Sequence, residues 1–195
     1  MSRTSQIRRT TGETDVDLGL ALDGAGDGSR ETGVGFFDHL LDAVARHAGL
    51  DLDVRVHGDL ETGPHHTVED TGIALGQALD DALGDRAGIA RFGHALVPMD
   101  EALASCAVDI SGRPYVSFEA DFPAERVGDF DTDLAEEFMR AVAGAAKLTL
   151  HLRVEAGTNA HHMVEVAFKA FARALRQAVA EDPRVHGVPS TKGLL

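Results

Sequence analysis

Four of the ten histidines in this chain occur as two adjacent pairs, and each pair opens the same five-residue pattern: His65-His66-Thr67-Val68-Glu69 and His161-His162-Met163-Val164-Glu165. On a helix, residues four apart are neighbours on one face, so His65 with Glu69 and His161 with Glu165 project side by side. An imidazole nitrogen and a carboxylate oxygen placed in this way can chelate one cation. That ligand set suits Mn, Fe, Co or Zn without choosing among them. The second histidine of each pair, His66 or His162, points about 100° away and cannot easily serve the same ion from the same helix. A reciprocal scheme follows, in which each metal takes a His and a Glu from one half of the chain and the leftover His from the other half or from another subunit. A single HHxxE motif is as readily a solvated helix terminus as a metal site. The second copy tips the reading towards metal binding.

Alternating and helical hydrophobic spacings supply the elements that must carry these motifs. Val16, Leu18, Leu20 and Leu22 alternate as a strand with one buried face, and Gly24-Ala25-Gly26-Asp27-Gly28 is expected to close a hairpin. A helix through Phe36, Phe37, Leu40, Leu41 and Val44 follows, then a strand over 50–56 and a second helix over 67–83. Further along, strand-like runs at 104–110 and 115–120 precede a helix over 134–145, a strand over 148–154 and a long helix over 161–180. The order repeats, with each histidine pair at the start of its half's last helix, which suggests duplication. The expectation is an internally duplicated α+β fold, with halves at 1–90 and 91–195 and helices on one face of each sheet. His39 sits in a mostly apolar helix, and His151 faces away from Leu150 and Leu152 on its strand; either could add a ligand, although each alone is more often structural.

Composition narrows the class. A formal charge of −14 argues against a nucleic-acid partner, so an anionic substrate would need a local basic pocket. No window reaches the roughly 18 unbroken apolar residues of a membrane-spanning helix, and no signal-peptide run follows the polar start, so a cytoplasmic protein is expected. Cys106 is the only cysteine and is expected to be a buried thiol.

Eight segments together carry a family resemblance that covers nearly the whole chain in order. They are Phe37 to Asp42, His65 to Gly72, Arg91-Phe92-Gly93, Pro98-Met99-Asp100-Glu101, Ser111 to Tyr115, His161 to Glu165, Phe168-Lys169-Ala170 and Pro189 to Gly193. They resemble imidazoleglycerol-phosphate dehydratase of histidine biosynthesis. The resemblance implies a ribosomal protein S5 domain 2-like fold, dehydration of imidazole glycerol phosphate to imidazole acetol phosphate, two Mn ions per active site, and a shell of twenty-four identical chains. Its metal ligands fall on His39, His65, His66, Glu69, His151, His161, His162 and Glu165. Its phosphate grip falls on Arg91, Arg113, Lys169, Ser190 and Lys192, and a catalytic N-terminal glutamate falls on Glu13.

The chemistry is physically coherent with that ligand set. No carbonyl activates the hydrogen to be lost, so the imidazole ring must be the electron sink, and cations at its two nitrogens would favour an imidazolate. The chain departs from the family at Gly12, where a lysine is common, at Thr62-Gly63-Pro64, where acidic residues are usual, and at Ala43, where some members carry a glutamine. Asp15-Val16-Asp17 lacks the rest of a phosphatase motif, so a monofunctional dehydratase is expected. Two rival readings use part of the same evidence. A His-rich metal-binding protein would have no use for Arg113, Lys169 or the Pro189 to Gly193 tail, whereas a metal-dependent phosphoester hydrolase would share the phosphate grip.

Overall fold

The computed structural model describes residues 3–195. The first half comprises β1 (Thr4–Thr10), β2 (Thr14–Ala21), β3 (Arg30–Glu31), α1 (Gly35–Ala48), β4 (Asp51–Gly58) and α2 (His65–Leu83). The second comprises β5 (Phe92–Met99), β6 (Ala102–Asp109), β7 (Tyr115–Glu119), α3 (Leu134–Ala146), β10 (Thr149–Ala156) and α4 (Ala160–Val179), with a small hairpin of β8 (Arg126–Val127) and β9 (Phe130–Asp131) inserted before α3. The two main sheets run β1-β2-β4-β3 and β5-β6-β10-β7. Within each half the order is therefore first, second, last, third. In both sheets the third strand pairs in parallel with the last and the other neighbours are antiparallel. The chain is an α+β fold of two similar sheet-plus-helices halves, as the repeated motif implied.

The alternation that defined β2, β4, β6 and β10 is the alternation of burial. Val16, Leu18, Leu52, Val54, Ala104, Cys106, Leu150 and Leu152 all point inward. The helices of the two halves pack on each other as well as on their sheets: α2 lies on α3, and α1 on α4. The α2–α3 contact is close because Gly72 and Gly76 meet Ala141 and Ala145. A Cβ on Gly76 would stand 2.6 Å from both Ala145 Cβ and the Val142 carbonyl oxygen. On the other side, Phe37 meets Phe138 edge-on at 5.5 Å and Phe138 stacks on Phe168 at 5.2 Å. All three rings are fully buried, and truncating such a ring to Ala costs about 3–5 kcal/mol. The core runs continuously through both halves.

Two expectations need correction. The glycine segment after β2 does not close a hairpin with a following strand, because β2 forms its hairpin with the preceding β1. Gly24 and Gly28 instead let the loop run against β4: a Cβ would come within 2.2 Å of the Asp51 backbone nitrogen and the Leu52 carbonyl oxygen, respectively. Asp51 Oδ1 accepts from the backbone N–H groups of Ala25, Gly26 and Asp27, and the loop then adds β3 to the sheet. Each half also begins with a strand that periodicity did not reveal. β1 has a single apolar side chain, Ile7, and β5 contains Gly93 and Pro98. Both are edge strands, where solvent tolerates polar side chains and a missing N–H.

Candidate functional site

His39, His161 and Glu165 converge where α1 meets α4. Their ligand atoms lie within 4.8 Å of one another, the one such group of three among the described residues. Each part of the group is locally fixed. Asp129, from the turn of the β8–β9 hairpin, accepts from the Gly35 and Phe36 N–H groups at 2.8 and 3.3 Å and so holds the first turn of α1, as an acid at a helix N-terminus should. Asn159 caps α4 by accepting from the His161 N–H at 2.9 Å. The Phe36 ring packs 4.7 Å from the His161 ring. Glu165 Oε2 lies 3.3 Å from His39 Nε2 and 3.1 Å from His161 Nε2, while Glu165 Oε1 accepts from Lys169 Nζ at 2.7 Å. Burial raises the Glu165 carboxyl, but the Lys169 and His39 hydrogen bonds outweigh it and hold the group below its ordinary value.

These spacings fit a cation. Donors roughly 2.1 Å from one ion stand roughly 3 Å apart when adjacent in its shell, close to the 3.1 and 3.3 Å seen here. Two imidazoles and a carboxylate are a donor set for a first-row transition metal. The residue that crosses between halves within one chain is therefore His39, rather than His66 or His162.

The first-half motif is more open. His65 Nε2 and Glu69 Oε2 are 3.6 Å apart, with His65 exposed and Glu69 half-buried. His66 turns Nδ1 to Asp59, at 3.0 and 3.1 Å from its two oxygens, and Nε2 towards Glu13, 3.6 Å away. Glu13 stands on the β1–β2 turn, and this hairpin is clipped to α2 by buried Asp70, which accepts from Arg9 at 2.9 Å and from the Thr14 hydroxyl. In the second half His162 turns Nδ1 to Glu101, 2.8 Å away, on the β5–β6 turn, with Asp100 3.9 Å from Nε2. The Asp59 bond raises the His66 pKa, and the Glu101 bond raises that of His162. Glu101 itself is lowered to about 2 by His162 and by the backbone N–H groups of Thr158 and Asn159.

Other candidates lie elsewhere in the chain. His151 is on the outer face of the second sheet, 5.5 Å from the Tyr115 ring, as strand alternation predicted. It lines an open groove of about 510 Å³ with His94, Ser117, Glu119 and Arg153. Arg91 is bidentate to Asp109 at 2.7 and 3.2 Å, and its Nη1 donates to the Pro189 carbonyl at 2.8 Å, which brings it to the tail that carries Ser190 and Lys192. Arg113 donates to the Ser111 carbonyl at 3.2 Å, and neighbouring Gly112 packs on Leu195, so this loop also meets the tail. Lys169 is not with them; it stands beside Glu165. Asp59, Phe36 and Asp129 were not found by sequence reasoning. Nothing local marks an acid in a loop as the partner of a distant ring, although Glu101 was inside a recognised segment.

A duplicated α+β chain with a converging two-histidine, one-carboxylate cluster defines a class of metal-compatible enzyme scaffold. Comparison with known proteins makes the assignment specific. The family model of imidazoleglycerol-phosphate dehydratase matches residues 32–175. The imidazoleglycerol-phosphate dehydratase of Symbiobacterium thermophilum is 62% identical over 193 residues, covering 99% of this chain and 93% of that protein. That of Gluconobacter oxydans is 55% identical over 195 residues, covering 100% of this chain and 98% of that protein. Among solved structures, the Staphylococcus aureus dehydratase superposes with a TM-score of 0.84 at 42% identity, covering 92% of this chain and 99% of that one. The Pyrococcus furiosus enzyme, solved in complex with (S)-C348, gives a TM-score of 0.84 at 39% identity over 97% of this chain and all of that one. The chain belongs to the imidazoleglycerol-phosphate dehydratase family, hydro-lyases of histidine biosynthesis. No helix among the described residues is long and apolar enough to cross a membrane.

Proposed function

We propose that this chain converts imidazole glycerol phosphate to imidazole acetol phosphate with the help of two divalent cations per active site, Mn²⁺ foremost, in a cytoplasmic enzyme. One observation carries the metal part of this reading: the convergence of His39, His161 and Glu165 at donor spacings of 3.1 and 3.3 Å. Cations bound at the substrate's ring nitrogens would supply the electron withdrawal that makes the carbon-bound hydrogen acidic. The remaining donors are His65, His66, Glu69, His151 and His162. Eight donors shared between two ions give four each, so substrate atoms or water complete the shells and no vacancy is left for Glu13. Glu13 therefore handles protons at the carbon skeleton, either taking the carbon-bound proton or protonating the departing hydroxyl. Arg91, Arg113, Lys169, Ser190 and Lys192 bind the phosphate, Arg and Lys through charge-assisted hydrogen bonds.

These groups do not meet within one chain. The Arg91 backbone is bonded to Ala178, nine residues along α4 from Lys169, or about 14 Å of helix. His65 and Glu69 likewise offer two donors where a shell needs more. A complete site built from several copies accounts for both facts, and supports a large homo-oligomer.

The test is an assay of purified, metal-stripped protein with imidazole glycerol phosphate, with and without added Mn²⁺. Metal-dependent formation of an enolisable ketone with no release of inorganic phosphate is expected. Phosphate release, full activity in the stripped protein, or fewer than two ions per chain in the active enzyme would overturn it.

A further inference from the structure

The second histidine of each motif is held from behind by a carboxylate. His66 Nδ1 lies 3.0 and 3.1 Å from the Asp59 oxygens, and His162 Nδ1 lies 2.8 Å from Glu101 Oε2. An ionised carboxylate only accepts, so the ring hydrogen in each case belongs on Nδ1, and Nε2 is the nitrogen turned outward. The two carboxylates do not correspond under the internal repeat. Glu101 is on the β5–β6 turn, whose counterpart in the first half is the β1–β2 turn carrying Glu13, and Glu13 stands on the opposite, Nε2, side of His66. Asp59 comes instead from the segment between β4 and α2. The halves thus reach the same ring arrangement with residues of different origin, which points to a requirement on the ring and not merely to shared descent.

Each carboxylate is itself anchored. Asp59 Oδ2 accepts from the Thr62 hydroxyl at 3.0 Å. Glu101 Oε1 accepts from the Thr158 and Asn159 N–H groups at 3.2 and 2.9 Å, in the loop whose Asn159 caps α4. A carboxylate fixed in this way sets both the orientation and the tautomer of the histidine in front of it. Outer partners of metal-bound histidines work in that manner, and their removal typically weakens metal binding 10–100-fold.

We propose that Asp59 and Glu101 are positioning residues, each holding its histidine, His66 or His162, so that Nε2 is presented to a divalent cation. This rests on the metal-dependent dehydratase reading above. The test uses full-length Asp59→Ala, which removes both oxygens that accept from His66 Nδ1, and Glu101→Gln. The Gln carbonyl can still accept from Thr158 and Asn159, while its NH₂ offers a hydrogen to Nδ1 and so favours the tautomer protonated on Nε2. Mn²⁺ affinity is measured by competition with a chromophoric chelator, alongside the far-UV CD spectrum and unfolding midpoint of the metal-free proteins. The expected result is affinity roughly 10–100-fold weaker in each variant, with spectrum and midpoint of the metal-free protein unchanged. Wild-type affinity in both variants would overturn the proposal. If Glu101→Gln also destabilises the metal-free protein, Asp59→Ala, which does not disturb the β10–α4 loop, decides: weakened affinity sustains the proposal and wild-type affinity overturns it. Wild-type protein that takes up no Mn²⁺ would remove the metal reading itself, whereas two ions in wild type with unaltered variants would remove only the positioning role.

Discussion

Gly76→Ala on α2 sets two effects of opposite sign against each other, and the structure decides between them. Replacing a mid-helix glycine by alanine gains about 1 kcal/mol of helix propensity. The new Cβ, however, would lie 2.6 Å from Ala145 Cβ, 2.6 Å from the Val142 carbonyl oxygen and 2.9 Å from the Ala146 nitrogen, and ordinary contact begins near 3.4 Å. The α2 and α3 backbones must therefore part by about 0.8 Å. Two of the three obstructing atoms are backbone, so no rotamer change relieves the clash. A gap of that size forfeits about a quarter to a half of the dispersion attraction across the affected contacts, and overpacked cores lose about 1–3 kcal/mol. Set against the helix-propensity gain, the middle of that range leaves a net destabilisation of about 1 kcal/mol, seen as a lower urea midpoint at unchanged slope. Adding Ala145→Gly removes one close atom but leaves Val142 and Ala146 in place and itself gives up about 1 kcal/mol of helix propensity, so it should not restore the parent's stability. A Gly76→Ala protein as stable as the parent, or more so, would refute the claim that these helices are in backbone contact.

Three further outcomes are expected. Glu13→Gln keeps shape and hydrogen bonding but not proton transfer, so metal content and fold should be normal while kcat falls roughly 10²- to 10⁴-fold; loss of one ion would make Glu13 a ligand instead. Lys192→Ala should raise KM several-fold with metal content intact, and an unchanged KM would remove the tail from the phosphate site. Asp80 accepts from Lys147 at 2.6 Å and from nearly buried Arg86; burial raises its pKa, but these two bonds win and lower it below 3.8. A carboxyl lowered on folding contributes stability that is complete above its unfolded pKa and is lost as pH falls through the folded value. Asp80→Asn should thus cost about 2–4 kcal/mol at neutral pH by leaving the Arg86 charge unpaired, and the difference from wild type should shrink in urea titrations below about pH 4; a constant difference down to pH 2 would exclude the ion pair as its source.

What could be read from the sequence was what is local. HHxxE spacing fixes which side chains share a helix face, because four residues on a helix is a geometric constant, and the duplication showed itself because both copies fall at the same point of the element order. β2, β4, β6 and β10 were visible because each has one dry face. β1 and β5 were hidden because edge strands need no such pattern, and the glycine loop was misassigned because its glycines serve close passage along β4 instead of a turn. The site divides in the same way. His161 and Glu165 come paired on one helix. His39 joins them only through the packing of α1 on α4, an event 122 residues away in sequence from His161 that no spacing encodes. Its nomination therefore rested on an oddity, a histidine in an apolar helix, and on family likeness. Asp59 lacks even that signal, and Glu101, although inside a family-like segment, carried none that marked it as the partner of His162, since an acidic residue in a surface loop is the commonest of sights in a chain with 32 acidic residues. Ligands are constrained by their own chemistry and so are few in type. Groups that orient ligands are constrained only by where the fold places them, and this is why the tertiary structure was needed to find them.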